Sequence, residues 1–222
     1  MRRLAINTFL TLDGVMQAPG GPEEDPSGGF KHGGWSVNYW DDQMGKRMDE
    51  FSVRKPFDLL LGRKTYEIFA AHWPYVGSDD AMGAALNKAT KYVASRTLQR
   101  VDWQNSQLLR GDVAQRVAEL KREDGPEIQV HGSANLIQTL LEHDLIDVFS
   151  LWLFPLVLGT GKRLFAEGTV PKGFKLVDSE TSSTGVIMTR FERAGAINYG
   201  SFALEQPTQA EVERREKVNA TS

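Results

Sequence analysis

A short, mostly apolar run from Phe57 to Leu61 restricts the possible folds of this chain more than any other feature. It lies between Pro56 and Gly62, and such a run bounded by turn residues is typical of a strand buried on both faces. The chain then passes through Gly62-Arg63 into a segment with helical character that begins near Thr65. The sequence therefore predicts a central strand that ends in a tight turn and leads directly into a helix.

Further strand and helix patterns alternate along the chain. Strands are predicted over Leu4 to Leu12, Tyr92 to Ala94, Ile128 to Val130 and Val148 to Val157, and helices over 113–122 and 134–142. This alternation predicts an α/β fold with a mostly parallel central sheet. Two later strands, over 174–180 and 186–192, flank a Ser-Ser-Thr-Gly turn and predict a C-terminal antiparallel hairpin.

The length and composition of the chain favour one domain. The 222 residues show no shift in composition that would mark an internal boundary. We expect a single domain over residues 1–206, followed by a charged C-terminal tail over residues 207–222.

The composition also excludes several classes of function. The 26 Lys and Arg residues are balanced by 29 Asp and Glu residues, so nucleic acid is not an expected partner. Because the chain has no cysteine, a disulfide framework and a thiolate metal site are excluded, and the four histidines lack metal-ligand spacing. No signal peptide or membrane-spanning run is recognisable, so we expect a cytoplasmic protein with no metal and no membrane partner.

The segment from Gln17 to Gly34 is rich in glycine, proline and acidic residues. This composition predicts a long, mobile surface loop, and such loops often close over a ligand as a lid. Helical spacing follows over residues 40–51 and places Trp40, Met44 and Met48 on one side. We expect that side to pack against the sheet.

Two strand-to-helix turns are candidate phosphate sites. The first, Gly62-Arg63-Lys64-Thr65, combines free backbone N–H groups with the positive end of a helix and polar side chains; the alternative is an ordinary turn capped by Thr65. The second, Gly132-Ser133-Ala134-Asn135, lets the backbone approach a ligand closely, although such a turn alone is more often structural. Ser95-Arg96 is either a site for a ribose 2′-phosphate or a solvated surface pair.

The segment Leu158-Gly159-Thr160-Gly161-Lys162 has some features of a P-loop. Leu156 occupies the required earlier glycine position, and Arg163 follows the lysine in place of Ser or Thr. An ATPase is therefore excluded, and Gly159 is expected to line a ligand crevice or to shape a loop.

Candidates for acid–base chemistry and substrate contacts lie near the first strand and the following helix. Asp13 ends the strand, and the helical wheel places Asp41 inward, where it either faces a pocket or complements the helix N-terminus. Trp35 and Trp40 are candidate pocket walls, with plain core packing as the alternative. Arg47 also faces inward and is a candidate partner for a substrate phosphate.

These motifs, in their order along the chain, carry a resemblance to a known family. They are Thr11-Leu12-Asp13-Gly14, Leu61-Gly62-Arg63-Lys64-Thr65-Tyr66-Glu67, Trp73-Pro74, His131-Gly132-Ser133, and the segment from Pro155 to Phe165. Together they resemble the dihydrofolate reductase-like family, in the branch related to the reductase domain of bifunctional riboflavin-biosynthesis deaminase-reductases.

The resemblance implies a three-layer α/β/α fold with NADPH lying across the carboxyl ends of the strands. It implies that the Gly62, Arg63, Lys64 and Thr65 turn holds phosphate, and that Ser95 and Arg96 hold the 2′-phosphate. It assigns Gly132, Ser133, Ala134, Asn135 and Leu136 to the pyrophosphate, and Val15 and Met16 to the nicotinamide. Either Asp13 or Asp41 is then the carboxylate that orients the substrate.

The functional expectation is an NADPH-dependent reductase of a small heterocyclic substrate, resembling 5-amino-6-(5-phosphoribosylamino)uracil reductase of riboflavin biosynthesis. Deaminase activity is not expected, because no cysteine can build the zinc site. The alternatives are dihydrofolate reductase-type activity on a pterin and a non-catalytic nucleotide-binding module. Related reductases are commonly dimers, so a homodimer is expected.

Overall fold

The computed structural model describes residues 1–77 and 79–221 of the chain. Its strands are β1 Leu4–Thr11, β2 Phe57–Gly62, β3 Lys91–Ala94, β4 Ser106–Leu109, β5 Glu127–Val130, β6 Val148–Phe154, β7 Gly173–Thr181 and β8 Ile187–Gly195. They form one sheet in the order β4-β3-β2-β5-β1-β6-β8-β7. The first six strands in this order are parallel, and β8 and β7 continue the sheet as an antiparallel pair.

Helices cover both faces of the sheet. They are α1 Asp42–Met48, α2 Arg63–His72, α3 Ala81–Lys88, α4 Val113–Arg122, α5 Ala134–Glu142 and α6 Gln209–Thr221. Buried residues of α4 and α5 pack in one cluster with β1, β2 and β5, whereas α2 and α3 pack on the other face of β2 and β3. On that second face, Met44 of α1 packs against β6 and β8.

The sequence of the central strand β2 does not alternate clearly between apolar and polar residues, and the packing of the strand explains why. Leu59 and Leu61 pack against Tyr66 and Leu86 on one face, and Leu60 points into the opposite cluster. Because both faces are covered by helices, successive side chains are all removed from water. The strand predicted from residues 57–61 is thus confirmed as a buried strand of a mostly parallel sheet.

The predicted α/β fold is confirmed, and most elements lie where the sequence places them. The helix predicted over 40–51 consists of α1 and a π-helical turn, Asp49–Val53. Strand β6 ends at Phe154 rather than at Val157, because Pro155 has no N–H to continue the ladder. The sequence reading omitted β4 and α3, whose four and eight residues give only weak periodic patterns.

The predicted tail contains the charged helix α6. Before it, Tyr199, Phe202 and Leu204 are exposed. No helix in the described ranges 1–77 and 79–221 is long and apolar enough to cross a membrane.

Candidate functional site

The carboxyl ends of four neighbouring parallel strands bring the predicted binding segments to one edge of the sheet. Strand β3 leads to Ser95-Arg96, β2 to the Gly62 turn, β5 to Gly132-Ser133, and β1 to the turn before Val15-Met16. Since β3, β2, β5 and β1 are adjacent in this order, the four segments form a row. Open α/β sheets bind ligands outside the carboxyl ends of their strands.

The two glycine-containing turns pack directly against each other. The N–H of Gly62 donates to the carbonyl oxygen of Gly132 at 3.1 Å. A Cβ atom on Gly62 would overlap the Ser133 hydroxyl and lie 3.0 Å from the Ser133 nitrogen, and one on Gly132 would lie 2.5 Å from Thr65 Oγ1. A cis peptide bond joins Gly132 and Ser133. Each position therefore requires glycine, because the two turns lie too close together for a Cβ atom. The two turns form one unit.

The helices that follow these turns begin differently from three others. Helices α1, α3 and α4 are preceded by the N-cap residues Asp41, Asp80 and Asp112, whose carboxylates accept a backbone N–H of the first turn. Within the described chain, α2 and α5 have no side-chain cap and no acidic residue in the first turn. Their first N–H groups, with the positive ends of the helix dipoles, can therefore bind an anion.

A cavity of about 820 Å³ opens beside this unit, within the range of small-molecule and cofactor sites. It extends from the starts of α2 and α5, past the loop at 16–25, to α1 and the strands β1, β6 and β8. The predicted site residues that line it are Met16, Trp40, Arg47, Lys64, Thr65, Gly132, Ser133 and Ala134. We call the part beside α2 and α5 the turn end, and the part over β1, β6 and β8 the floor end.

Two lysines lie at the turn end and share one carboxylate. Lys162 forms an ion pair with Asp25 and donates to Ser27 Oγ at 2.8 Å, while Lys64 Nζ lies 3.6 Å from Asp25. Burial alone would raise the pKa of Asp25, but hydrogen bonds from Lys162 and Ser27 hold that pKa below its ordinary value.

The segment predicted as a lid is held against the cavity. Gln17 donates to the carbonyl oxygens of Asp25 and Ser27, each at 2.9 Å, and accepts from the N–H of Lys162 at 3.0 Å. The carboxylate of Glu24 also lines the cavity and accepts from the N–H groups of Gly20 and Gly21. Burial raises the pKa of Glu24 above its ordinary value.

Two rows of side chains crossing three strands form the floor end. The register places Asn7, Ser150 and Arg190 side by side, and Phe9, Trp152 and Met188 in the next row. The rings of Phe9 and Trp152 are stacked with centroids 5.2 Å apart, and Trp40 from the segment before α1 stacks on Trp152 at 5.8 Å. This end offers an aromatic surface to a flat ligand.

Two arginines border the floor end. Arg47 of α1 forms an ion pair with Asp178 and lies 3.9 Å from Glu180. Arg190 of β8 donates to Glu127 at 2.8 Å and to Ser150 Oγ at 3.0 Å. The predicted inward position of Arg47 is confirmed, and the structure adds that carboxylates already contact both guanidinium groups.

The two candidate carboxylates do not line the cavity, which corrects the expectation for Asp41. Asp41 is the N-cap of α1 with extended dihedral angles of −139° and 177°, so a helical wheel does not describe its direction. Its carboxylate accepts from Met44 and Ser183. Asp13 accepts from Thr11 Oγ1 and from the N–H groups of Leu158 and Gly159, and these bonds lower its pKa to about 2.

Three further candidates have structural contacts outside the cavity lining. The Trp35 indole donates to the carbonyl oxygen of Gln17, and its ring packs edge-on against Phe154. Gly159 is exposed and donates to Asp13, so its loop-shaping alternative is the one observed. Val15 is fully buried beneath the loop and bridges to Arg163.

The remaining candidates lie on the same sheet edge but outside the cavity lining. They are Gly62, Arg63, Ser95, Arg96, Asn135 and Leu136. Leu136 is buried in the core, Ser95 caps its own turn by accepting from Thr97 and Leu98, and Arg63 lies 3.4 Å from Glu67. Arg96 is exposed at the end of β3.

Several cavity residues were missed by the sequence reading. Asn7 and Ser150 are polar residues inside mostly apolar strands, a signal that could have marked them. Trp152 belongs to the run from Val148 to Val157 that was predicted only as a strand. His131 follows β5 and also lines the cavity, and burial lowers its pKa to about 4, so its ring is neutral at pH 7.

No group of three or more His, Cys, Asp or Glu residues within 1–77 and 79–221 could hold a metal ion. The groups at the cavity wall include lysine and arginine cations, carboxylates of the loop at 16–25 and aromatic rings.

This fold and cavity define the class of protein as dihydrofolate reductase-like α/β. The chain belongs to the RibD C-terminal domain family, whose model matches residues 2–188. The family supports a reductase-type function related to riboflavin biosynthesis.

Two relatives from Bacillus subtilis (strain 168) are similar over most of the chain. Uncharacterized protein YyaP is 29% identical over 189 residues, covering 84% of this chain and 92% of the relative. Uncharacterized protein YwjB is 30% identical over 170 residues, covering 76% and 85%.

Three solved structures share the fold. A putative riboflavin biosynthesis protein from Shewanella sp. PV-4 has a TM-score of 0.59 and 22% identity, covering 87% of this chain and 99% of that chain. Dihydrofolate reductase from Enterococcus faecalis, complexed with NADP(H), has a TM-score of 0.53 and 14% identity, covering 86% and 96%. A Thermotoga maritima deaminase/reductase has a TM-score of 0.56 and 15% identity, and the match covers 87% of this chain and 57% of that longer chain.

Proposed function

We propose that the protein is an NADPH-dependent reductase of a small, planar heterocyclic substrate, related to the reductase of riboflavin biosynthesis. The observation that carries this proposal is one cavity with two chemically different ends, an anion-binding turn end and an aromatic floor end. Hydride transfer requires a cofactor and a substrate held side by side, with little further chemistry from the protein.

The turn end suits a dinucleotide phosphate. The N–H groups at the starts of α2 and α5, the ammonium of Lys64 and the hydroxyls of Thr65 and Ser133 all lie at the cavity wall. Arg96, exposed at the end of the adjacent strand β3, would hold a ribose 2′-phosphate of a nucleotide that extends beyond the cavity lining, and would then favour NADPH over NADH. Bound NADPH supplies the hydride.

The floor end suits the ring of the substrate. Trp40 and Trp152 offer a stacking surface, and Asn7 and Ser150 offer polar atoms beside it. Stacking on this surface would orient the ring towards the nicotinamide and exclude water from the reacting atoms. Met16, which is buried at the wall between the sheet and the loop, would lie beside the nicotinamide.

Calorimetric titration with NADPH and NADH tests the cofactor. We expect binding of NADPH with a clear preference over NADH, and the preference should be lost in Arg96→Ala. Arg122→Ala, which removes an exposed arginine at the end of α4, is the matched control. No binding of either nucleotide would sink the reductase proposal.

Loss of the NADPH absorbance band tests the reaction. The assay compares 5-amino-6-(5-phosphoribosylamino)uracil, its ribosyl form without phosphate, and dihydrofolate. Consumption of NADPH with either uracil compound supports the leading proposal, whereas consumption with dihydrofolate alone supports the pterin alternative.

The non-catalytic alternative is favoured by one observation, the absence of Asp13 and Asp41 from the cavity lining. A nucleotide-binding module would bind NADPH without consuming it in the presence of any of the three substrates. The homodimer stays a prediction, and light scattering would test it.

A further inference from the structure

The chain continues beyond β8 in a segment that leaves its apolar side chains in water, and we propose that this segment binds a second copy of the same chain. Residues 196–208, which we call the arm, form neither helix nor strand and lead to α6. In the proposed dimer, each arm inserts Phe202 into an apolar pocket of the other subunit. This assembly goes beyond the proposed reductase activity and does not depend on it.

The arm exposes large apolar side chains of the kind that a folded domain normally buries. Tyr199 is 84% exposed, Leu204 is 68% exposed and Phe202 is fully exposed. Single exposed apolar residues are common on protein surfaces, whereas a cluster of large ones is typical of an interaction site. The arm also lies beyond residues 2–188, which the family model matches, so the family match does not account for it.

The direction of β8 places the arm far from the ligand cavity. This strand runs antiparallel to β6, so that Ile187 pairs with Leu153 and Glu192 pairs with Val148. It therefore starts at the edge of the sheet that carries the cavity and ends at the opposite edge. A strand with the seven residues of β6 is roughly 23 Å long. The arm thus begins at the edge remote from the cavity of its own chain.

A largely apolar pocket of about 280 Å³ opens where the arm begins. Leu140 and Phe149 are buried in its wall, and Phe165, Val170 and Ile197 are exposed at its rim. The ring centroids of Phe149 and Phe165 lie 5.7 Å apart, so the pocket already offers aromatic faces. Because a dry cavity of roughly 150 Å³ holds a benzene ring, this pocket has room for one aromatic side chain.

The position of the pocket favours the arm of a second copy as its occupant. Ile197 belongs to the rim, and the five residues from Ile197 to Phe202 span at most about 17 Å when extended. A twofold axis beside Ile197 therefore brings each arm to the pocket of the other subunit. Within its own chain, Phe202 lies in solvent and does not fold back onto this pocket.

The area that the exchange buries also favours a second copy over an unrelated partner. Tyr199, Phe202 and Leu204 together would bury roughly 500 Å² of the arm, and the pocket about the same. Twofold symmetry repeats this contact, so the dimer buries about 2,000 Å², which is within the range of stable specific interfaces. An unrelated partner would make the contact once and bury about 1,000 Å², below the usual range of such interfaces.

Analytical ultracentrifugation of the full chain over a dilution series tests the assembly. We expect a dimer in the micromolar concentration range, which dissociates on dilution. A monomer at about 100 µM would overturn the proposal, because two buried arms should give much tighter association.

Variants of the arm and of the pocket test the surface. Phe202→Ser should weaken the dimer at least about a hundredfold, because each dimer loses both anchors. Val170→Asp places a carboxylate at the exposed rim and should weaken it at least about tenfold. Tyr75→Ser removes an exposed aromatic residue outside the arm and the pocket lining, and should leave the dimer unchanged. Circular dichroism checks that each variant is folded. Unchanged association in both folded test variants, or an equal loss in the control, would refute the assigned surface.

Mixing the two test variants distinguishes exchange between subunits from docking within one chain. The Val170→Asp subunit keeps its arm and the Phe202→Ser subunit keeps its pocket, so a mixed dimer regains one of the two contacts. We expect the mixed dimer to form at least about tenfold more tightly than either variant alone. No gain on mixing would contradict the exchange. Since no nucleotide is present in these measurements, their outcome is independent of whether the protein binds NADPH.

Discussion

The two ends of the cavity use the same kind of residue for different purposes. At the turn end, Lys64 and Lys162 contact Asp25, and the Glu24 carboxylate also lies at the cavity wall, whereas at the floor end the carboxylates that contact Arg47 and Arg190 lie outside the cavity lining. The turn end is built from two strand-to-helix turns, and the floor end from side chains of neighbouring strands. A lysine or arginine in a cavity thus indicates an anionic ligand only after the carboxylates that contact it have been taken into account.

The starts of the helices also differ, in whether a side chain caps their first N–H groups. Asp112 caps α4, which begins away from the cavity, while α2 and α5 begin at its wall without a capping side chain. Capping satisfies the first N–H groups within the protein, and its absence leaves them for a ligand. Five predictions test these two contrasts, beginning with the largest expected effect.

Gly62→Ala should disrupt the turn end most strongly. The new Cβ would overlap Ser133 Oγ and lie 3.0 Å from a backbone nitrogen, so the two turns must separate. We expect a loss of about 3 kcal/mol in the free energy of unfolding and at least a tenfold loss of NADPH affinity, measured by denaturant unfolding and calorimetry. Gly77→Ala, where a Cβ meets nothing within 4 Å, is the control; unchanged NADPH affinity in Gly62→Ala would contradict the role of the paired turns.

Acid should destabilise the turn end through His131. Burial lowers the pKa of this histidine from 6.5 to about 4, so the unfolded chain binds more protons between these pH values. The unfolding free energy should therefore fall by roughly 2 kcal/mol as the pH decreases from 6.5 to 4. His131→Gln should remove this part of the pH dependence, and His143→Gln, at an exposed site, should retain it. Identical pH profiles for His131→Gln and the unmodified protein would refute the assignment.

Trp40→Ala should affect the floor end selectively. Trp40 is 46% exposed, so its removal should cost little stability, but the ligand loses one stacking surface. We expect roughly tenfold weaker binding of the heterocycle, as for base–aromatic stacking, with NADPH affinity nearly unchanged. Calorimetry with each ligand measures both affinities, and Tyr75→Ala removes an exposed aromatic residue outside the cavity lining as the control. Equal losses for both ligands would mean that the two ends are not separate.

Lys64→Met should weaken only the turn end. Removal of one of its two lysines should lower NADPH affinity about fivefold and reduce the dependence of that affinity on salt. Binding of the heterocycle should not change. Lys88→Met at the end of α3 is the control. A fall in heterocycle affinity in Lys64→Met would contradict the assignment of Lys64 to the turn end.

The difference between helices with and without a capping side chain predicts the smallest effect. Asp112→Ala removes the bond to the N–H of Gln115 and should lower the unfolding free energy by about 1 kcal/mol without changing NADPH affinity. Ser133→Ala removes no cap and should leave stability within about 0.5 kcal/mol. Thermal unfolding of both variants measures the difference, and equal losses would show that Ser133 caps α5 after all.

The outcomes for individual residues show how far sequence reasoning extends. The glycine turns at Gly62 and Gly132 were recognised because a strand, a small residue and a helix follow one another locally. The wheel placed Asp41 inward because it assumes a helical residue, whereas Asp41 precedes α1 in extended conformation and caps the helix N-terminus, which was the alternative reading. Asp13 was recognised as a strand end, but its bonds to Leu158 and Gly159 join segments about 145 residues apart.

The sequence by itself determined the alternating strands and helices, the two turns and the side of α1 that carries Arg47, since each follows from local periodicity and backbone preference. The tertiary structure decided which ion pairs form at each end of the cavity. Asp25 meets Lys162 from 137 residues away, and Asp178 meets Arg47 only because β7 forms the edge of the sheet on the side where α1 packs. Such pairings depend on strand order and register, which are set by the packing of the whole chain and not by any one segment.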